Sequence, residues 1–328
     1  MKTSKNSGLL VTSNPHIVDS MDTTKIMMLV IIALLPSLIA STVIFGARAL
    51  ILAVVCIAAS VFFEWAFEKI LKKPNTAGDL SAALTGLLVA MNVPVTFPYW
   101  MAVIGCFVAI VIVKQLFGGL GQNFANPAIT ARIVLFVSFA TDMTKWHDPS
   151  SHQKVLLAAD AVTSATPLGV MAESGAEAAE SQFSVLQLFL GTTGGSMGEV
   201  CAVALLAGGL FLIFMKIISP ATPVAFIGTV AVISLLAGVD PLWQICAGGV
   251  MLGAFFMATD YATTPSTTLG KIIFGIGCGF ITMVIRLWGA YPEGMSFAIL
   301  IMNAFTPLIN NYCKPKRFGE VAKKGGNK

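Results

Sequence analysis

The sequence predicts an all-α integral membrane protein, and its composition and hydropathy are the observations that predict it. Of its 328 residues, 56% are hydrophobic and only 11% are charged, and the mean hydropathy is +0.84. A soluble domain carries about 25% charged residues. A chain this apolar, folded in water, would expose far more apolar surface than a soluble monomer tolerates. The composition therefore excludes soluble enzymes, disordered chains and nucleic-acid-binding proteins.

Apolar segments long enough to span a membrane fall into two groups of five. A bilayer core about 30 Å thick needs roughly 20 apolar residues per helix. We predict spans at about 26–45, 48–67, 80–95, 99–117 and 124–140, and then at about 199–217, 222–238, 242–259, 271–289 and 295–312. The third segment is short and runs into Asn92–Pro98. We expect it either to form a broken span, as at transporter binding sites, or simply to end at a proline-containing loop.

The basic residues predict the orientation in the membrane. Lysines and Arg317 cluster at both chain ends, and Lys69, Lys72 and Lys73 follow the second segment. Basic residues favour the cytoplasmic side, so both termini are predicted inside and the central loop outside. The predicted divisions are a first membrane repeat at 1–140, an external loop at 141–198, a second membrane repeat at 199–313 and a basic cytoplasmic tail at 314–328.

The two groups of spans resemble each other. Ile104–Cys106 recurs as Ile276–Cys278, 172 residues later, and the Asn123-to-Pro127 spacing recurs from Asn303 to Pro307. Five spans per repeat is an odd number, so the second repeat must be inverted in the membrane. The sequence therefore predicts two inverted five-helix repeats joined by the external loop.

A polar run in the central loop allows two interpretations. Thr166 followed by Pro167 suits the start of a helix, with threonine as the N-cap. The same run resembles the acceptor motif of flavinyl transferases, Asp-x-x-Ser/Thr-Gly/Ser-Ala-Thr, in which the last threonine receives FMN through a phosphodiester bond. The matching residues are Asp160, Thr163, Ser164, Ala165 and Thr166. The small side chains before Thr166 would let a transferase approach its hydroxyl.

With this motif after the fifth of ten spans, nearly the whole chain resembles the D subunits of Rnf complexes. Ser13–His16 and Gly121–Pro127 also carry the resemblance, and Ser164 departs from it where many members have glycine. The resemblance implies a cell-membrane subunit of a ferredoxin:NAD⁺ oxidoreductase that translocates Na⁺ or H⁺. It also implies FMN on Thr166, a second non-covalent riboflavin, further Rnf subunits and a flavinyl transferase as partners, and lipid around the spans.

Asn123 and Asn126 are the candidate contacts of the riboflavin. They lie three residues apart, so we predict that they share one face of a helix, where their amides could satisfy an isoalloxazine edge. The alternatives are a helix–helix hydrogen bond or a helix cap. Glu64, Arg132 and Asp260 are ionisable groups in or at the end of apolar segments, and they either act in function, pair within the bundle or reach the interface.

Catalytic residues and metal ligands are not predicted for this chain. Its six cysteines are scattered, without the spacing that zinc or iron–sulfur centres need. Three other functions remain open. The chain could resemble the related B subunit of a Na⁺-translocating NADH:quinone reductase, a non-redox transporter or channel with a five-plus-five inverted repeat, or a membrane scaffold. Only the flavin-bearing functions require a modified Thr166.

Overall fold

The computed structural model describes residues 21–147, 165–199, 201–289 and 291–314, and within these ranges the chain is helical without β-strands. The first group of helices is α1 Thr23–Phe45, α2 Ala47–Ile70, α3 Ser81–Met91, α4 Tyr99–Phe107, which continues as a π-helix over Val108–Gln115, and α5 Pro127–Ser138. Short helices follow at α6 Ala140–Met143, α7 Pro167–Ser174, α8 Ala176–Gln182 and α9 Val185–Leu190. The second group is α10 Ala202–Phe214, α11 Ala221–Ala237, α12 Pro241–Cys246, α13 Val250–Leu252, which continues as a π-helix over Gly253–Met257, α14 Thr268–Trp288 and α15 Met295–Tyr312.

Three helices, α1, α2 and α14, are long and apolar enough to cross a membrane by themselves. Five shorter apolar helical stretches lie among them. Large apolar side chains point outward along these helices, among them Ile39, Val43, Phe214, Leu236 and Trp288. Such an exterior suits lipid rather than water. The predicted all-α membrane class is therefore confirmed.

The third predicted span is helical only in part, which fits both alternatives that its sequence left open, a broken span and a helix that ends at a proline-containing loop. Helix α3 ends at Met91, and residues 92–97 run irregularly but fully buried. Non-helical backbone at membrane depth is tolerated only where protein covers it and its polar groups are satisfied. Arg48, at the start of α2, provides hydrogen-bond donors for the backbone carbonyl groups of this stretch. Its guanidinium donates to the carbonyl oxygens of Val95 at 2.8 Å and Phe97 at 3.2 Å.

The eighth predicted span, 242–259, is not one helix, and this part of the prediction is wrong. The chain leaves helical geometry at residues 247–249, between α12 and α13. Gly248 has a positive φ of 63°, a conformation that side chains disfavour. A Cβ on Gly249 would lie 2.6 Å from Glu293 Oε1 and 2.9 Å from Glu199 Oε1. The break therefore forms where the backbone bends to meet two carboxylates.

The first repeated sequence, Ile104–Cys106 in α4 and Ile276–Cys278 in α14, has similar surroundings in the two helices. Cys106 and Cys278 are fully buried. A Cβ on Gly105 would meet Leu135 of α5, and a Cβ on Gly277 would meet Met302 of α15. Each glycine thus lets its helix approach the helix that follows it.

The second repeated spacing, from Asn123 to Pro127 and from Asn303 to Pro307, falls at different positions along its two helices. Pro127 is the first residue of α5, whereas Pro307 lies inside α15. Asn303 is buried inside α15, and neither of its amide atoms has a hydrogen-bond partner within the described part of the chain. The inverted relation of the two repeats stays a prediction.

Candidate functional site

A cavity of about 440 Å³ lies where α1, α3, α5 and α10 meet the two π-helical turns, and we call it the Asn126 cavity. One π-turn contributes Lys114, and the other contributes Phe255 and Phe256. π-Helical turns often occur at functional sites. The lining includes Ser81, Leu84, Lys114, Asn123, Asn126, Phe255, Phe256 and Asp260. Apolar walls with a few polar groups are typical of a small-molecule site.

The two asparagines line this cavity, but they do not share a helix face as predicted. Helix α5 begins only at Pro127, after a turn through Gly121, so Asn123 precedes the helix. Asn126 is its N-cap: Oδ1 accepts from Ala128 N at 3.0 Å, and Nδ2 donates to Met257 O at 3.2 Å. Asn123 Nδ2 donates to Ala125 O at 3.0 Å. The cap alternative is therefore correct for Asn126, and both residues line the cavity.

A buried ion pair closes one side of the Asn126 cavity. Lys114 Nζ donates to Glu64 Oε1 at 2.6 Å and to Ser81 Oγ at 2.5 Å. Gln115 Nε2 donates to the same Glu64 oxygen at 2.7 Å, and Glu64 is wholly buried. Glu64 was predicted as an ionisable candidate, but Lys114 was not predicted as its partner. The pairing could have been suspected because both charged residues lie in apolar segments of the same predicted repeat.

Thr166 is the N-cap of α7, as one of the two interpretations of its sequence predicts. Its Oγ1 accepts from Gly169 N at 3.0 Å, and Pro167 takes the first helical position. Thr166 is half-buried and lines a small pocket of about 40 Å³, the Thr166 pocket. Ala165 precedes it and is exposed. Asp160, Thr163 and Ser164 lie outside the described residues.

Beneath the Thr166 pocket lies a buried cluster of charged groups that we call the Arg132 cluster: Arg132, Glu199, Arg286 and Glu293. Arg132 lies 3.0 Å from Glu199 Oε1 and also pairs with Glu293. The exposed fractions of Arg132 and Arg286 are 5% and 3%. Glu199 and Glu293 both line the Thr166 pocket. The four groups come from α5, α14 and the loops before α10 and α15.

Backbone and amide groups complete the Arg132 cluster. Arg286 donates to the carbonyl oxygen of Gln244, in α12, at 2.7 Å and to that of Ala247, on the break between α12 and α13, at 2.8 Å. Gly249 N donates to Glu293 Oε1 at 2.8 Å. Arg132 also donates to Asn92 Oδ1 at 3.0 Å, at the end of α3. The cluster thus connects both broken segments, and only Arg132 of its four members was predicted from the sequence as an ionisable candidate.

The two arginines of the cluster act on the loop carboxylate Glu293. Burial disfavours its charged form, but the positive charges of Arg132 and Arg286 and the hydrogen bond from Gly249 N hold the pKa of Glu293 below its usual value. The cluster therefore favours the charged form of Glu293.

These features define a multi-span helical membrane protein with two pockets, each carrying a few polar groups, and a buried charge cluster between them. The chain belongs to the NQR2, RnfD, RnfE family, whose model matches residues 10–319. It is 49% identical to the D subunit of the Na(+)-translocating ferredoxin:NAD(+) oxidoreductase complex of Acetobacterium woodii, over 95% of each chain. It is 42% identical to the D subunit of the proton-translocating ferredoxin:NAD(+) oxidoreductase complex of Clostridium ljungdahlii, over 96% of this chain and 97% of the relative. It is also 38% identical to the D subunit of the ion-translocating oxidoreductase complex of Stutzerimonas stutzeri, over 91% and 93% of the two chains.

Proposed function

We propose that this chain is the flavin-bearing membrane subunit of a complex that couples electron transfer from ferredoxin to NAD⁺ with Na⁺ or H⁺ translocation. FMN is attached to Thr166, and a non-covalent riboflavin occupies the Asn126 cavity. The observation that carries the proposal is the complete acceptor motif, which ends on a half-buried threonine beside a pocket. The family and the relatives' names support the role in an ion-translocating oxidoreductase.

The surroundings of Thr166 fit an FMN phosphodiester. The Oγ1 atom accepts one hydrogen bond from Gly169 N, and an ester oxygen retains a lone pair for that bond. The phosphate would lie at the start of α7, where the helix dipole favours negative charge. Ala165 is small and exposed, so a flavinyl transferase would meet little steric hindrance from it.

The Asn126 cavity fits an uncharged flavin. Its volume of about 440 Å³ lies within the range of pockets that bury drug-sized ligands. An asparagine amide has two donor hydrogens and two acceptor lone pairs. Asn123 Oδ1 therefore keeps acceptor capacity for a ligand, whereas Asn126 Oδ1 accepts from both Ala128 N and Ile129 N, so Asn126 can offer one amide hydrogen. Glu64 neutralises Lys114, and Asp260 also lines the cavity, so a phosphate would find no free positive charge among these lining groups.

A bound flavin supplies the redox chemistry, and this chain supplies placement and electrostatics. Asn123 and Asn126 orient the ring of one flavin, while Thr166 fixes the other by a covalent bond. Ferredoxin oxidation and NAD⁺ reduction fall to other subunits of the complex. In the proposed orientation both termini lie in the cytoplasm, and the segment from α6 to α9, with the flavin on Thr166, lies on the external face of the cell membrane.

In-gel fluorescence of the denatured polypeptide tests the proposed function directly. A covalent flavin survives denaturation, so ultraviolet illumination of the isolated band is expected to show flavin fluorescence. A non-fluorescent band from cells that express an active flavinyl transferase would contradict the proposal. That result would favour the alternative of a transporter or channel without a redox group.

The proposed orientation predicts which surface sites an impermeant thiol reagent reaches in sealed cells. Glu173→Cys, in α7, is expected to react from outside, whereas Lys72→Cys, after α2, is expected to stay protected until the cells are opened. Both positions are exposed on the protein, so the membrane alone decides the difference. The background must lack the six native cysteines. Labelling of Lys72→Cys but not of Glu173→Cys would invert the orientation and move the flavin to the cytoplasmic face.

A further inference from the structure

We propose that Arg132 is a cation barrier, whose fixed positive charge blocks passage of Na⁺ and H⁺ between the Asn126 cavity and the Thr166 pocket. The inference rests on the proposed function only in taking the two pockets as successive flavin sites. In a complex that moves ions by electron transfer, an open ionic route between two electron carriers would dissipate the gradient. A barrier at this position would prevent that leak.

The structure places Arg132 between the two pockets. Ala128 lines the Asn126 cavity, and Arg132, one turn later in α5, reaches Glu199 and Glu293 of the Thr166 pocket. Polar contacts on both sides of Met257 lie between the same two pockets. Asn126 Nδ2 donates to Met257 O at 3.2 Å, and Asn92 Nδ2 lies 3.8 Å from Met257 Sδ. Arg132 then donates to Asn92 Oδ1 at 3.0 Å.

The charge distribution opposes a cation at this position. A pair of buried carboxylates such as Glu199 and Glu293 would otherwise attract Na⁺, which prefers oxygen ligands. Arg132 takes the place of that cation, since it contacts both carboxylates. Arg286 lies in the same cluster, so two guanidinium groups and two carboxyl groups meet in a site that water reaches poorly. The position that a cation would need between the two carboxylates is therefore already filled by the Arg132 guanidinium.

Protons are blocked by the same group. A proton relay needs side chains that release and accept a proton, and the arginine guanidinium does not deprotonate in proteins. Arginine side chains exclude protons and cations from membrane pores in this way. Arg132 is held by Asn92, Glu199 and Glu293, so its charge stays fixed on the route.

Passive cation flux through the assembled complex tests the barrier. The complex is reconstituted in sealed vesicles without electron donor or acceptor, and the entry of radioactive sodium and of protons is measured separately. Arg132→Gln is expected to raise at least one of these fluxes by roughly tenfold or more, since about 1.4 kcal/mol of barrier corresponds to one decade in rate. Arg132→Lys keeps the positive charge and is expected to remain as tight to sodium as the unaltered complex; because a buried lysine can release its proton, this variant is a control for the sodium flux only.

A second variant covers the event that Arg132→Gln fails to assemble because it leaves buried carboxylates unpaired. Arg132→Gln combined with Glu199→Gln removes one group of each kind and is expected to leak as well. Assembly is checked by the amount of the subunit that co-purifies with the complex. An assembled single or double variant as tight as the unaltered complex, or an Arg132→Lys variant that admits sodium as fast as Arg132→Gln, would overturn the barrier. Loss of the proposed flavin function would instead appear as a non-fluorescent band of the unaltered subunit.

Discussion

Replacement of Thr166 by asparagine is expected to abolish the covalent flavin completely while the subunit stays in the membrane. Thr166 Oγ1 is the only proposed attachment atom, and asparagine has no hydroxyl. Asparagine is a good N-cap, so the variant can preserve the contact with Gly169 N that starts α7. Thr166→Ala should lose the flavin too, at an additional cost of about 0.5–2 kcal/mol for the missing cap. In-gel fluorescence and the amount of subunit in the membrane are the two measurements.

A matched control is available in the same pocket. Thr193 also lines the Thr166 pocket and lies outside the motif, so Thr193→Ala should keep the full fluorescence. Peptide mass mapping of the unaltered protein should place the FMN mass on the peptide that contains Thr166. Modification of Thr163 instead, or unchanged fluorescence of Thr166→Asn, would refute the assignment.

Loss of the amides in the Asn126 cavity is expected to remove the non-covalent flavin and to spare the flavin on Thr166. We expect the double change Asn123→Leu and Asn126→Ser to weaken flavin binding by roughly 30-fold to more than 10⁴-fold. Each unpaired polar group costs about 1–3 kcal/mol, and about 1.4 kcal/mol corresponds to a factor of ten in affinity. Serine is chosen at position 126 because it can still cap α5. Extraction of the purified complex with acid, followed by chromatography, counts the released riboflavin.

Asn126→Leu separates packing from binding. This change removes the cap of α5 and the bond to Met257 O, so it should lower stability as well as flavin content. If the serine variant loses the subunit from the membrane just as the leucine variant does, Asn126 serves packing alone. Full retention of riboflavin by the assembled double variant, with normal electron transfer, would exclude the two amides as flavin contacts.

The helical class and most helix positions could be predicted from the sequence because apolar length carries that information. Helices α1, α2 and α14 lie within a few residues of their predicted spans. The break of α12 from α13 was not predictable in the same way. Residues 242–259 read as one apolar segment, and only the contact of Gly249 with Glu199 and Glu293 explains the bend. Those partners lie far away along the chain.

Single residues of the candidate site could be predicted from the sequence, but which residues meet in the fold could not. Thr166 stood out by a local motif, and Asn126 by local spacing. The Arg132 cluster joins α5, α14 and two loops, and no pattern along one segment indicates such a meeting. The start of α5 was misplaced because apolar length does not show that Pro127 begins the helix.

The burial of residues 92–97 has a consequence for how the chain is assembled in the membrane. Helix α3 has only 11 residues, which cover about 16 Å, so it cannot cross a bilayer core of about 30 Å alone. The irregular stretch after it is unfavourable in lipid until Arg48 satisfies its carbonyl groups and Arg132 reaches Asn92. Arg132 is synthesised 40 residues after Asn92. The hydrogen bonds that satisfy the third segment are therefore complete only once α5 is in place beside it.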